Sequence, residues 1–488
     1  MKKTVYLLVG LILLPGIMSA ASAPRDGDSR QQKIFGQIFL HHEYIWERKY
    51  QAAQACLEEA LRIQPDNPIT LFTISQLLRE QRGREDEAKL YFKKAMDNLD
   101  VATPGERIFL DVTRLRIHKN LSRTEIKEEI DTYLRQYPGN GLVYYTAGHF
   151  SHWELGEFDT ATRFLEKALA IYPWLVQGHN LLGYAYTFLG DQTKAIHHLE
   201  LYAAAFPARA NPHDSLGEIY HMTGQYQLAI EQFDTALAIA PDFTQVHQHL
   251  IRSCTAIGQY TRAKEHALLL LEKSESDYFK GMALYEFAKV CMIAGDYEKA
   301  EHKIRSAMEM NPDYFGYYDL LGQIQLKSGQ MEQVQQTLHS MKRLIEERAK
   351  KNPGKLSPEL YYRTYELLQA KINVALGNFD TAIEMLQRVS DQIMNPLDGL
   401  AERSDLARVY FAIGEFNRAL DITNSILKYN PNHVETLLLQ AKIYTTLARH
   451  KKAEAVLDHC ATLLRDADPG IPVLKEIERL RQITVALK

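Results

Sequence analysis

Histidine offers this chain its most obvious chemistry, because imidazole titrates near neutrality and binds transition metals. Ten of the eighteen histidines fall between His149 and His266, and His179, His213 and His247 recur at a step of 34 residues. A metal site needs three or four ligands that converge. His149 and His152 are three apart and share one helical face, yet no third ligand stands at a matching spacing, and no CxxC or HExxH occurs. Asp214, Glu218 and His221 also cluster at helical spacing, and a carboxylate–histidine grouping can move protons. Against catalysis, the chain has no GxSxG and no glycine-rich phosphate loop. A repeated packing site explains the histidine ladder, and a solvated face explains the charges. No catalytic residue, cofactor site or metal site is assigned, and the chain is read as non-enzymatic.

The histidine step belongs to a wider pattern. Gly156, Gly190, Gly224 and Gly258 share the 34-residue interval, and Pro173, Pro207 and Pro241 run parallel to them. A glycine between two apolar helical patterns at this period marks a helix–turn–helix unit. Such a unit cannot bury its apolar face alone, so neighbours stack. The clearest unit is 210–243, with Leu216, Gly217 and Tyr220 on a first helix, Gly224 at the turn, Ala229, Phe233 and Ala236 on a second helix, and Pro241 ending it. Glycine frees the turn backbone, and proline cannot continue a helix. These residues resemble the tetratricopeptide repeat (TPR) family at nearly every signature position. Sliding the template along the chain gives twelve units over about nine-tenths of it, the third (107–140) divergent because Leu121 replaces the turn glycine and Ile126 the small residue. The resemblance implies an all-α, right-handed α-α superhelical solenoid with a C-terminal capping helix.

The expected organisation is a signal peptide at 1–21, a flexible leader at 22–33 and an N-terminal array at 34–348. A linker or extended hairpin at 349–362 separates it from a C-terminal array at 363–467, and 468–488 forms the cap. Gly329 and Gly377 are 48 residues apart, so 341–363 carries extra length. It reads as a second helix lengthened to Lys351, a turn at Asn352–Gly354 and a new helix capped by Ser357, making a protruding hairpin or a bend between two lobes.

In the TPR family the concave face is formed by first-helix places 2, 5, 9, 12 and 13. Carried onto the fourth to sixth units, the resemblance gives a groove of Phe150, Trp153, Gln177, Asn180, Tyr184, Asn211, Asp214, Glu218 and His221. Phe150, Trp153 and Tyr184 would form an aromatic strip beside the amides of Gln177, Asn180 and Asn211. Amides can pair with the backbone of an extended peptide while rings bury its side chains. The same rings can stack on sugars.

Residues 1–23 combine Lys2 and Lys3, an apolar run from Val5 to Leu14 and a small-residue tract ending at Ala23. That is the three-part pattern of a secretory signal, with cleavage after Ala21; an uncleaved anchor is the alternative. Both place the rest outside the cytoplasm, and the expected location is a bacterial periplasm or the exterior. The formal charge of −4 becomes −6 without Lys2 and Lys3, which excludes the basic surface that nucleic acid demands. Four cysteines invite a disulfide reading. Cys254 and Cys291 sit on helices about 8–10 Å apart, beyond a bridge's reach, so all four read as buried hydrophobes. The expected function is a cell-envelope scaffold binding protein segments in the groove. A glycan-binding module guiding an exported polysaccharide is the alternative.

Overall fold

The computed structural model describes residues 26–80, 83–119, 122–351, 358–391, 397 and 399–486. The signal segment, Leu121, the turn at 352–354 and Ser357 lie outside the described residues. Within them the chain is all-α: twelve helix pairs, from Asp26–Trp46 with Tyr50–Ile63 to Val434–Thr446 with His450–Leu463, then a last helix Pro472–Ala486. The two helices of a pair pack on one another and successive pairs stack, as where Gln177–Leu189 packs on both Gly141–Trp153 and Phe158–Ile171. Among the described residues no strand occurs, and no helix is long and apolar enough to cross a membrane.

Local sequence explains the repeat. At the described turns within pairs the chain enters the left-handed region, as at Gly190 (φ 79°), and the next amide reaches back across the helix end, Asp191 N–H donating to the Tyr186 carbonyl at 2.9 Å. Glycine takes this conformation without a Cβ clash. The first and twelfth pairs keep the geometry without glycine: Arg48 and Ala448 hold φ of 58° and 54°, and the Arg449 amide still reaches the Tyr444 carbonyl at 2.8 Å. Ala448→Gly is therefore expected to raise stability by about 1 kcal/mol, read as a shift in the urea midpoint; no gain would show that this turn relaxes its strain elsewhere. Where the two helices of a pair touch, alanine recurs: Ala161, Ala195, Ala229, Ala263 and Ala300 are all fully buried. In the divergent third pair Ile126 fills that place and is buried. Its second helix, Arg123–Gln136, starts with a capping box of Ser122 and Glu125, which fixes the helix start by local hydrogen bonds.

Two expectations change. Residues 26–33 are part of the first helix rather than a leader, and the Gln31 amide donates to the Thr103 hydroxyl at 2.5 Å. The extra length at 341–363 is met on either side by helices, Met331–Lys351 and Pro358–Ala375. The chain divides into two compact units, but not there. Unit one holds the residues up to Ile219 with Asp234–Phe243, and unit two holds Tyr220–Phe233 with Thr244 onward, so the division runs through the sixth pair.

Each unit closes on itself through loops far apart in sequence. In unit one the first helix meets the loop before residue 210: Phe39 stacks on Phe206 at 5.1 Å, Arg209 donates to the Tyr44 hydroxyl at 2.9 Å, and Asn211 donates to Glu43 at 2.9 Å. In unit two the Asn432 amide donates to the Gly224 carbonyl at 2.9 Å. The Asp468 carboxylate accepts from the Thr261 amide at 2.7 Å and from its hydroxyl at 2.8 Å. Helix Tyr260–Glu272 has no side-chain cap from its own N-cap residue Gln259, so Asp468 caps it from 207 residues away. The four cysteines are buried and unbridged, and burial pushes the Cys460 thiol up to about 12.

Candidate functional site

The histidine ladder resolves into paired rings. His179 and His198 meet Nδ1 to Nδ1 at 2.8 Å, and His247 and His266 meet in the same way at 3.0 Å. Ring centroids lie 5.1 and 5.3 Å apart, so the nitrogens face head-on, one donating and one accepting. That needs the accepting ring to be neutral. Burial, with the partner imidazole adding to it, lowers His179 and His247 to about 4. Each pair joins the two helices of one repeat through its Nδ1 atoms, and the Nε2 of His247 is left buried without a hydrogen-bond partner.

Eight of the nine groove residues belong to unit one, and the structure sorts them. Trp153 is 39% exposed and lies 6.2 Å from the Tyr184 ring, so these two rings do meet. Tyr184 donates to Glu218 at 2.6 Å, and burial, then the Glu218 charge, holds its phenol well above the usual range. Phe150 is only 3% exposed and packs 6.1 Å from Phe109, so it is a core ring and not part of an open strip. Gln177 and Asp214 are also buried. Neither polar atom of the Gln177 amide has a hydrogen-bond partner, nor has the Asn180 carbonyl oxygen. Asn211, expected to meet a ligand backbone, spends its amide on Glu43 and on the Tyr202 hydroxyl at 3.3 Å. The closure of unit one by its first helix takes up this amide, and repeat positions alone do not foretell that closure.

The ninth residue, His221, stands in unit two, on the wall of a cavity of about 550 Å³. One wall comes from the first helices of the seventh and eighth pairs (Ile251, Arg252, Glu286, Lys289, Val290, Ile293). The other comes from the C-terminal segment (His433, Glu435, Leu438, Pro472, Val473, Glu476). The lining mixes apolar and charged side chains. Among the charged ones Arg252 reaches the buried Glu286 at 3.0 Å, and Lys289 lies 3.7 Å from its other oxygen. Burial pushes the Glu286 carboxyl up, but Lys289 and Arg252 outweigh it and hold the group below the usual carboxylate range. Glu435 behaves alike, its burial overcome chiefly by Arg408 at 2.6 Å. His221, hydrogen-bonded to the Ser253 hydroxyl at 2.9 Å, is lowered to about 3 by burial first and then by Arg252. Burial likewise lowers His433. At neutral pH both imidazoles are uncharged hydrogen-bonding groups among fixed charges.

These charges follow the repeat. The ninth place of the first helix, counted through the seventh to twelfth pairs, holds Arg252, Lys289, Gln323, Lys371, Arg408 and Lys442. Five are cations, and several reach a carboxylate on the following first helix or the last helix: Arg252 to Glu286, Lys371 to Asp405 at 3.7 Å, and Lys442 to Glu476 at 2.8 Å. The same template that supplied Tyr184 and Glu218 would have found this ladder had it been continued past the sixth unit. Ion pairs of this kind add little to stability. They fix the directions of the side chains that line the wall.

Family models match three stretches of the chain. Residues 210–243 and 42–67 each match a tetratricopeptide repeat, and 375–460 match anaphase-promoting complex, cyclosome, subunit 3. No curated protein matches the sequence. Among solved structures, a tetratricopeptide repeat protein from Parabacteroides merdae is 15% identical and covers 64% of this chain and 98% of its own, with a TM-score of 0.32. The APC/C hetero-tetramer Cut9–Hcn1 is 13% identical over 93% of this chain and 96% of its own, with a TM-score of 0.28. YrrB, described as a TPR protein with an unusual peptide-binding site, is 16% identical over 38% of this chain and 95% of its own, with a TM-score of 0.30. At such identities the likeness concerns fold alone.

Proposed function

Because the chain is a tetratricopeptide-repeat protein, we propose that it is a non-catalytic binding scaffold whose unit-two cavity holds an extended segment of a partner polypeptide. The observation that carries this reading is the cavity's mixed apolar and charged lining. Ile251, Val290, Leu438 and Val473 offer an apolar seat for one or two aliphatic side chains. Beside them, Arg252, Glu286, Lys289 and Glu435 are held in place by their own ion pairs, and the neutral His221 and His433 can bond a peptide backbone. Because the wall is fixed before a ligand arrives, less ordering is lost on binding. An extended chain presents this combination of alternating side chains and unpaired backbone groups.

The N-terminal pattern of Lys2, Lys3 and the following apolar run supports an exported protein. The proposed role is therefore assembly or stabilisation of a multiprotein complex in the cell envelope. The polysaccharide reading depended on an aromatic strip, and the burial of Phe150 takes one of its three rings away, so it is not carried forward.

The test is selection from a library of extended peptides, followed by calorimetry on the purified full chain. Thr255 lines the cavity and is only partly buried, so Thr255→Trp should fill the space while the fold is kept. Selected peptides are expected to share an aliphatic residue flanked by polar ones and to lose at least about tenfold in affinity, roughly 1.4 kcal/mol, to Thr255→Trp but not to Trp153→Ala. Equal binding to wild type and Thr255→Trp would place the site elsewhere.

A further inference from the structure

The exposed charges of the unit-two cavity differ in sign from one wall to the other. On the wall from the seventh and eighth pairs, the side chains of Arg252 and Lys289 are 47% and 36% exposed, whereas Glu286, the carboxylate they share, is 2% exposed. That wall shows two cations and hides their acid. On the wall from the C-terminal segment the order is reversed. Glu435 and Glu476 line the cavity, with side chains 60% and 26% exposed. Their cations, Arg408 at 2.6 Å, Lys442 at 2.8 Å and Arg479 at 2.9 Å, stand outside the lining. Burial raises Glu435 but Arg408 overcomes it, and a hydrogen bond from Arg479 lowers Glu476, so both stay ionised at neutral pH. The two imidazoles register the same division. Burial lowers both first; the next influence on His221 is Arg252, which lowers it further, and the next on His433 is Glu435, which raises it.

We infer that the polypeptide segment this cavity takes, on the reading proposed above, carries an acidic and a basic side chain at neighbouring positions, the acid paired to the Arg252–Lys289 wall and the base to the Glu435–Glu476 wall. The pairing follows from charge complementarity and from the shape of an extended chain. Successive side chains of an extended segment point in opposite directions. Residues an odd number of places apart therefore reach different walls, and residues two apart reach the same one. A neighbouring acid and base, in either order, satisfy both walls at once, and flanking aliphatic residues reach Ile251 on one wall and Val473 on the other. Two acids or two bases at those places would set one of them against a wall of its own sign, which rejects the segment.

Peptides selected from the library against the full chain, end-capped so that no terminal charge takes part, test this. Those that Thr255→Trp excludes are expected to carry an acidic and a basic residue an odd number of places apart. Calorimetry then compares the wild type, Lys289→Gln and Glu476→Gln, each with the parent peptide and with versions whose acid or base is replaced by glutamine. Lys289→Gln should weaken the parent by about fivefold and leave the acid-free version unchanged. Glu476→Gln should weaken the parent by a similar factor and leave the base-free version unchanged. Both variants are expected to keep thermal midpoints like the wild type's, and Glu435→Gln replaces Glu476→Gln if the last helix loosens. Peptides that Thr255→Trp excludes, but that carry charge of one sign or an acid and a base only at even spacing, overturn the inference and leave the binding reading standing. Losses that persist in the acid-free and base-free versions do the same. A selection that yields no peptide excluded by Thr255→Trp overturns the binding reading itself, and this inference with it.

Discussion

Replacing Glu43 by glutamine should stabilise the protein by about 4 kcal/mol at pH 8 and by less than about 1 kcal/mol at pH 5. Glu43 is buried where the first helix meets the loop before residue 210. Burial first, and then the neighbouring Glu47, raise its carboxyl from 4.5 to about 8, while Arg209 and the Asn211 hydrogen bond act against the rise. An acid whose folded pKa lies above its unfolded one takes up a proton on folding between the two values. Stability is then highest below about 4.5, falls as the pH climbs towards 8, and levels off above it. Glutamine keeps the shape, still accepts from Asn211, and has no proton to lose. Urea unfolding of both proteins at pH 5 and pH 8 gives the comparison. Equal stabilities at pH 8 would mean that Glu43 is ionised and balanced by Arg209, and the account of how unit one closes would need revision.

The second large effect compares two glycines that differ only in what faces them. Gly258→Ala puts a Cβ into the left-handed region and against Ile471 and Ala467. The expected cost is about 3 kcal/mol, of which about 1 is backbone strain and the rest overpacking. Gly414→Ala carries the same backbone strain with open space around it, and should cost about 1 kcal/mol. The difference isolates the seam that closes unit two and holds the cavity's two walls together. Equal losses in urea unfolding would mean that the seam contributes nothing to stability.

The repeat was legible because each of its residues answers a local need. A left-handed turn calls for glycine, a close helix contact calls for alanine, and a helix end tolerates proline. Ala448 and Arg48 show the limit of that logic, since neighbouring repeats impose the turn even without glycine. The third pair shows another, where Ser122 and Glu125 start a helix that the repeat template places only poorly. The site was less legible. Position within a repeat says which side chains face inward, but not what another part of the chain lays over them. Phe150 and Asn211 were placed on an open groove for that reason, and Phe109 and Glu43 took them up. Contacts between residues more than 160 apart, such as Asn211 with Glu43 or Thr261 with Asp468, leave no periodic mark in the sequence. The charged ladder of unit two does leave one, at the ninth place of its repeats.

The account stands most directly on what enters the unit-two cavity. A photoreactive side chain introduced at Thr255 in the living cell, followed by mass spectrometry of the adducts, reports that contact. Crosslinks from Thr255 to a defined stretch of another polypeptide, absent when the photoreactive group is moved to Asn180, are the predicted result. Adducts only from Asn180, or adducts to glycan at Thr255, would contradict it.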